Sequence, residues 1–470
     1  MSNEIAMLTA DALLERYREG SLSPVEATQA ALDRIDRHNG RLNAFNLVDP
    51  EAALEAARAS EERWRLGVPR GRLDGCPVSI KDILLTEGWP TLRGSKATAA
   101  DQDWNEDAPA VARLKEHGAV LLGKTTTPEF GWKGVTDSPL DGITRNPWNP
   151  ATTPAGSSGG ASAAVASGMG PLALGTDGGG SVRIPAGFTG IYGLKPSFGR
   201  VPAYPLSPFG TVSHIGPMTR SVADAALLLT VIAEPDARDA HGLPYDGGDY
   251  SQGLDDGVEG LRIAYSPSLG GHQVDPEVAA LVAKAAWSFA ELGATVEIAE
   301  PDLSGADAVF RCLWYAGAAN LMRRFDAEAQ QQMDPGFREI AAEGAGYSLL
   351  DYLAAVSRRE ALTVAANRFH GDYDLLLTPS LPMTAFEAGL EVPKDSGMER
   401  WPDWTPFSYP FNLTQQPAAS LPCGLTSKGL PVGLQIVGPR YGDALVLRAS
   451  RAFEAAHPWA FPDLATTLAE

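Results

Sequence analysis

Residues 75–83, GCPVSIKDI, and residues 118–127, GAVLLGKTTT, decide the fold class. Each is a short run of Val, Ile and Leu bounded by glycine, the pattern of a buried strand. Between them, residues 108–118, APAVARLKEHG, carry a helical pattern, so the region predicts βαβ-like units. The same alternation continues outward. LRIAYSP (261–267) and TVEIA (295–299) predict strands around an amphipathic helix, PEVAALVAKAAWSFAELGA (276–294). YDLLLTPS (373–380) predicts another strand, SLPCGLTSKGLPVGLQIVG (420–438) a strand hairpin, and ALVLRASRAFEAA (444–456) a closing helix. SVADAALLLTVIAE (221–234) also predicts a helix, and residues 305–370 are mostly helical in pattern. Upstream, the first 65 or so residues read as helices. Ser23-Pro24-Val25-Glu26 is a capping box with proline at the first helical position, and Asp49-Pro50 opens a further helix. The simplest account is α/β: one large domain over residues 1–470, with a central mixed β-sheet covered by helices on both faces.

Composition narrows the function classes. The 470 residues are 44% hydrophobic and 20% charged, which is ample for a large core. A net charge of −20 with no basic run repels phosphate backbones and anionic lipid, which argues against nucleic-acid or membrane partners. Cys76, Cys312 and Cys423 are far apart and form no CxxC, as in a reducing compartment. The N-terminus has no basic-then-apolar leader, and no stretch approaches 18 uncharged apolar residues. A cytoplasmic protein is expected. No HExxH or Cys/His spacing is present, so neither a metal nor another cofactor is expected.

Three motifs carry chemistry. GSSGG (156–160) could be a linker or a phosphate cradle. It is embedded between a proline-rich stretch and a small-residue helix, ASAAVASG (161–168), and lacks the lysine of a phosphate loop. It fits G-x-S-x-G, but the elbow that motif implies needs a preceding strand, and RNPWNPATTPA (145–155) has three prolines instead. Asp177-Gly178-Gly179-Gly180-Ser181 follows the apolar strand LALGT (172–176). Three glycines let backbone N–H groups converge beside the serine hydroxyl, although a tight turn has the same composition. Lys81 ends the VSIK run. Such a lysine is ordinarily a strand-tip charge, but a desolvated one can lose its proton and act as a base. The seven histidines are dispersed and lie outside these motifs, and S-x-x-K does not occur. A Ser–His–Asp arrangement stays open on histidine count alone.

Taken together, GCPVSIKD, GKTTTPEFGW, RNPWNP, PAGSSGGASAAVASG, LGTDGGGSVRIPA, GLKPSFGRV and the C-terminal FNLTQQPAASLPCG and GLPVGLQIVG resemble the amidase signature family. The 24-residue spacing of Ser157 and Ser181 agrees with its pattern. The resemblance implies that Ser181 is the nucleophile, Ser157 the cis-peptide serine that relays protons, and Lys81 the base. It also implies an oxyanion hole from the amides of Gly178, Gly179, Gly180 and Ser181, with Asp177 and Arg183 holding the loop. The signature core would span residues 71–220, after N-terminal helices at 1–70. One departure is visible: many members have threonine where this chain has Gly178, which implies a wider acyl side of the pocket.

The activity so implied is hydrolysis of small-molecule carboxamides, with anilides, esters and carbamates also in range. A partner list then reduces to that substrate, with a homodimer allowed. The rival within the family is the glutamine-hydrolysing catalytic component of an aminoacyl-tRNA amidotransferase. Against it, residues 311–329 lack the SSNLARYDG-like string associated with that component. A rival outside catalysis is a silent binding protein with an intact glycine-rich loop. Phe130, Trp132, Trp314, Tyr315, Tyr409 and Phe411 are candidate pocket walls, although core packing explains any one of them equally well. A helical segment at 300–370, with the loop from Trp404 to Phe411, is expected to cover the pocket.

Overall fold

Strand Pro77–Lys81 is buried along its whole length and runs parallel to Val120–Thr125 on one side and Leu172–Asp177 on the other. Helix Pro109–Glu116 connects the first pair, with its apolar residues Ala110, Val111 and Leu114 buried. The computed structural model describes residues 2–245 and 247–468. Among these, an 11-stranded mixed sheet runs in the spatial order Phe45–Val48, Val120–Thr125, Pro77–Lys81, Leu172–Asp177, His214–Thr219, Tyr192–Lys195, Ala418–Leu425, Pro431–Val437, Leu375–Pro379, Arg262–Tyr265 and Thr295–Ile298. The pairs from Leu172–Asp177 through Leu375–Pro379 are antiparallel, and the last two neighbours are parallel. The mixed α/β sheet flanked by helices is therefore as expected.

The helix signals act where they were read. Ser23 caps helix Pro24–Leu42 with a complete capping box, and Asp49 caps Pro50–Arg65 through a hydrogen bond from Ala52 N–H. Between them the all-helical reading fails. Phe45–Val48 is a strand that pairs antiparallel with Val120–Thr125 at the sheet edge. Four residues are too few to show a period, so tertiary pairing decides them. His214–Thr219 is likewise a strand despite its internal Gly216 and Pro217, and Arg183–Thr189 a helix despite Pro185 and Gly187.

Two cores flank the site. The larger gathers Ile80, Leu174, Leu228, Val282 and Leu434 between sheet and helices. The smaller is aromatic, built from Trp132, Phe310, Trp314, Phe337, Trp401 and Trp404. It draws on helices Ala306–Met322 and Pro335–Ala345 and lies against the glycine-rich loop. No described helix is long and apolar enough to cross a membrane.

Candidate active site

Lys81 and Asp177 end neighbouring parallel strands, so both are delivered to the carboxyl edge of the sheet, where ligands bind in open α/β folds. Lys81 is fully buried. Its Nζ lies 2.7 Å from Ser157 Oγ, 2.9 Å from Ser158 Oγ and 2.9 Å from Thr176 Oγ1. Burial drives its pKa well below the usual lysine value, against a smaller upward pull from Asp177. Ser158 Oγ donates to Thr176 O at 3.1 Å, so it faces the lysine as an acceptor.

The GSSGG segment is no strand-borne elbow. Ser158 precedes helix Gly159–Ala166, and the Gly156–Ser157 peptide is cis. Ser158 N–H donates to Ser181 O at 3.1 Å, which ties this segment to the glycine-rich loop. Ser157 and Ser181 both line one cavity of about 450 Å3, together with Thr176 and Gly178.

Behind the loop, Arg183 uses all five of its N–H donors. Nε and one Nη2 proton go to the two Asp177 oxygens at 3.0 Å each, and the rest to Asn412 Oδ1, Gln435 Oε1 and Ser408 O. Burial alone would raise the Asp177 carboxyl, but the Arg183 charge and hydrogen bonds, with Lys195 and Asn412, hold it well below the carboxylate range. Gly180 N–H donates to Asp177 Oδ1 at 2.8 Å. This corrects one expected oxyanion donor: the Gly180 amide is directed to the aspartate, because the carboxylate shapes the turn from within. Gly180 takes φ 126°, and a Cβ there would lie 2.4 Å from Ser408 Oγ.

The aromatic candidates divide. Phe130 and Trp314 line the cavity, and Trp132, Tyr315, Tyr409 and Phe411 do not. Trp132 packs on Phe337, and its carbonyl accepts the Trp314 Nε1–H at 3.0 Å. Tyr315 OH accepts from Arg311, Tyr409 stacks on Phe310 at 4.9 Å, and Phe411 joins Phe407 and Val437. All four are buried outside the cavity, and Trp132 supports its wall directly through Trp314. Nor does the 404–411 loop reach the cavity. From the helical segment, Trp314, Leu321, Arg324 and Phe325 do. Most of the remaining wall is residues 197–215, including Phe198, Pro205, Phe209 and His214. That Pro/Ser/Gly-rich stretch has no periodicity that could have marked it as a wall; its Pro202, Pro205 and Pro208 signalled only an irregular path.

Gly178 does not widen the pocket. A Cβ there would lie 2.7 Å from Trp314 Cζ3, so the indole fills the space, and Phe209 stacks on its other side at 3.7 Å between centroids.

His214 is buried, with Nδ1 2.8 Å from Val212 O and 3.2 Å from Asp177 O. Burial and the neighbouring Lys195 charge push its pKa well down, so it is neutral. No cluster of three His, Cys, Asp or Glu suited to a metal occurs among the described residues.

Comparison with known proteins agrees with this architecture. The sequence model of the family described as Amidase matches residues 26–447. The chain is 39% identical to an acylamidase from Rhodococcus erythropolis, over 96% of each chain. It is 38% identical to the A-type subunit of the glutamyl-tRNA(Gln) amidotransferase from Myxococcus xanthus, over 97% of this chain and 98% of that one. The solved structure of a bacterial aryl acylamidase superposes with a TM-score of 0.90 at 32% identity, covering 96% of both. With this fold, this match and these relatives, the chain belongs to the amidase signature family, whose enzymes hydrolyse amide C–N bonds.

Proposed function

We propose that the chain hydrolyses small-molecule carboxamides, with anilides, esters and carbamates as further substrates, through an acyl-enzyme on Ser181. The observation that carries this reading is the buried Lys81 Nζ at 2.7 Å from Ser157 Oγ, in the cavity that Ser181 also lines. A neutral lysine amine has two N–H donors and one lone pair. Ser158 and Thr176 take the donors, and the lone pair accepts the Ser157 proton. Ser157 in turn takes the Ser181 proton as Ser181 Oγ attacks the carbonyl carbon. The oxyanion faces the amides of Gly178, Gly179 and Ser181. Ser157 then protonates the leaving nitrogen, the C–N bond breaks, and Lys81 returns the proton to Ser157. Water, activated through the same relay, releases the acid from Ser181.

The apolar wall of Phe130, Phe209, Trp314 and Phe325 suits aryl or acyl groups. The acylamidase and aryl acylamidase relatives support that choice. On this reading residues 71–220 supply the chemistry, within one domain. The experiment is labelling with a fluorophosphonate, with turnover of p-nitroanilides, primary amides and carbamates. Ser181 is the expected labelled residue, and a label elsewhere defeats the assignment.

A second reading, the glutamine-hydrolysing component of a tRNA amidotransferase, rests on the 38% identity to that protein from Myxococcus xanthus. Glutaminase activity that appears only with partner proteins, together with no anilide turnover, would favour it.

A further inference from the structure

Two arginines line the same cavity as Ser157 and Ser181: Arg93, half-buried, and Arg324, exposed just beyond helix Ala306–Met322. Neither guanidinium has an ion-pair partner within 4 Å among the described residues. Arg93 donates one N–H, from Nη1, to Thr91 O at 3.1 Å, and the Arg324 side chain makes no hydrogen bond to a described residue. Burial lowers the Arg93 guanidinium most, the Asp82 carboxylate opposes this, and the Arg324 charge lowers it further. The nearest buried acid, Asp82, is engaged by Lys124 at 3.5 Å, by Asn46 Nδ2 and by the Arg93 backbone N–H. The other titratable groups on the cavity wall are Tyr204, Asp239, His214 and His241. Asp239 accepts from the backbone amides of Ala203 and His241 and makes no ion pair with Arg93 or Arg324. Two cationic side chains on one cavity wall, one of them half-buried, favour an anionic occupant of that cavity. Asp82 offsets this in part at Arg93 without forming an ion pair with its guanidinium, and no described carboxylate pairs with Arg324.

We propose that Arg93 and Arg324 receive a carboxylate carried by the substrate at a distance from the scissile amide. The substrates are then amides with an apolar body and an anionic far end. This rests on the reading of the Ser181 site above and names its substrate class. Guanidinium pairs suit the planar carboxylate, which can accept two parallel N–H bonds.

Two matched pairs test it: acetanilide against 4-acetamidobenzoate, with the charge on the amine side, and hexananilide against the monoanilide of adipic acid, with it on the acyl side. In the unaltered enzyme one anionic member is expected to be favoured in kcat/KM over its neutral partner, and its KM to rise with salt. Arg324→Gln should lower kcat/KM for that member about tenfold more than for the neutral one, mainly through KM. Because Arg324 is exposed, this variant keeps the fold. Arg93→Lys, retaining charge but not the fork, should fall between. Protection of Ser181 from a fluorophosphonate by benzoate or adipate, lost in Arg324→Gln, reads the same contact without turnover. If neither anionic member is favoured, or the variants lower both members of a pair alike, the arginine pair is a solvated charge and the inference is overturned. If Ser181 is neither labelled nor needed for neutral anilides, the reading of the site fails instead.

Discussion

The indole of Trp314 occupies the volume that a side chain on Gly178 would claim: an added Cβ would meet Cζ3 at 2.7 Å and Cη2 at 2.9 Å. A glycine in the glycine-rich loop and a tryptophan 136 residues later are thus one steric unit. Gly178 lies outside the left-handed backbone region, so an alanine there is resisted by the indole alone. Gly178→Ala is expected to lower kcat/KM about tenfold, in line with overpacking costs of about 1–3 kcal/mol. In a Trp314→Ala background the same change should cost much less. A double-mutant cycle on anilide hydrolysis measures the coupling, and strict additivity would separate the two residues.

The relay should behave as a unit. Ser181→Ala is expected to abolish turnover, and Lys81→Ala or Ser157→Ala to lower kcat by orders of magnitude. The double variant Lys81→Ala/Ser157→Ala should be little worse than the poorer single. Two histidines, His214 and His241, line the cavity, and the Nδ1 of His214 is bonded to the carbonyl oxygens of Val212 and Asp177. A folded His214→Gln variant is expected to retain most of its activity; one as inactive as Ser181→Ala would move the base from Lys81.

Protonation of Lys81 sets the direction of the pH dependence. Its folded-state pKa is depressed by burial, and kcat/KM should rise with pH along a limb well below 10.5. Stability follows the same sign. Between the folded pKa and the unfolded value near 10.5, the unfolded chain holds protons that buried Lys81 and Lys195 do not. Stability gained from these two groups therefore increases with pH through that window and levels off above it. Lys81→Met should flatten this slope in a series of Tm measurements across pH. An unchanged slope would mean that Lys81 is charged in the fold.

In the proposed relay, Ser158 and Thr176 accept the two protons of a neutral Lys81 amine and so aim its lone pair. Thr176→Val removes one acceptor at nearly constant volume. It should lower kcat about tenfold, as loss of one hydrogen bond of about 1–1.5 kcal/mol requires, with KM little changed. A change in KM alone would assign Thr176 to binding instead.

How far this could be read from residues alone depended on range. Lys81, Ser157 and Ser181 stand in contiguous strings whose composition is unusual, and the strands that carry Lys81 and Asp177 are plain apolar runs. Phe45–Val48 and His214–Thr219 were illegible as strands because pairing partners, not local pattern, make them so. The cavity wall was the least legible part. A buried ring looks the same in sequence whether it faces the cavity, like Phe130 and Trp314, or lies behind one that does, like Phe310 behind Trp314 and Tyr409 behind Phe310. Only the family resemblance pointed to Arg183 as holding the loop; no local pattern could, because its five acceptors come from residues 177, 408, 412 and 435.

Helix Gly159–Ala166 has no solvent face: all eight of its small residues are buried, directly behind Ser157 and Ser158. For descendants of this chain that divides the molecule into two mutational regimes. Almost any enlargement within the helix displaces Ser157 and Ser158 together, so that stretch is closed to drift. The proline-rich span at 197–211 and the Leu321–Phe325 corner touch the cavity without carrying a strand of the sheet. New substrate ranges can be explored there, one exchange at a time, while the reaction itself is inherited intact.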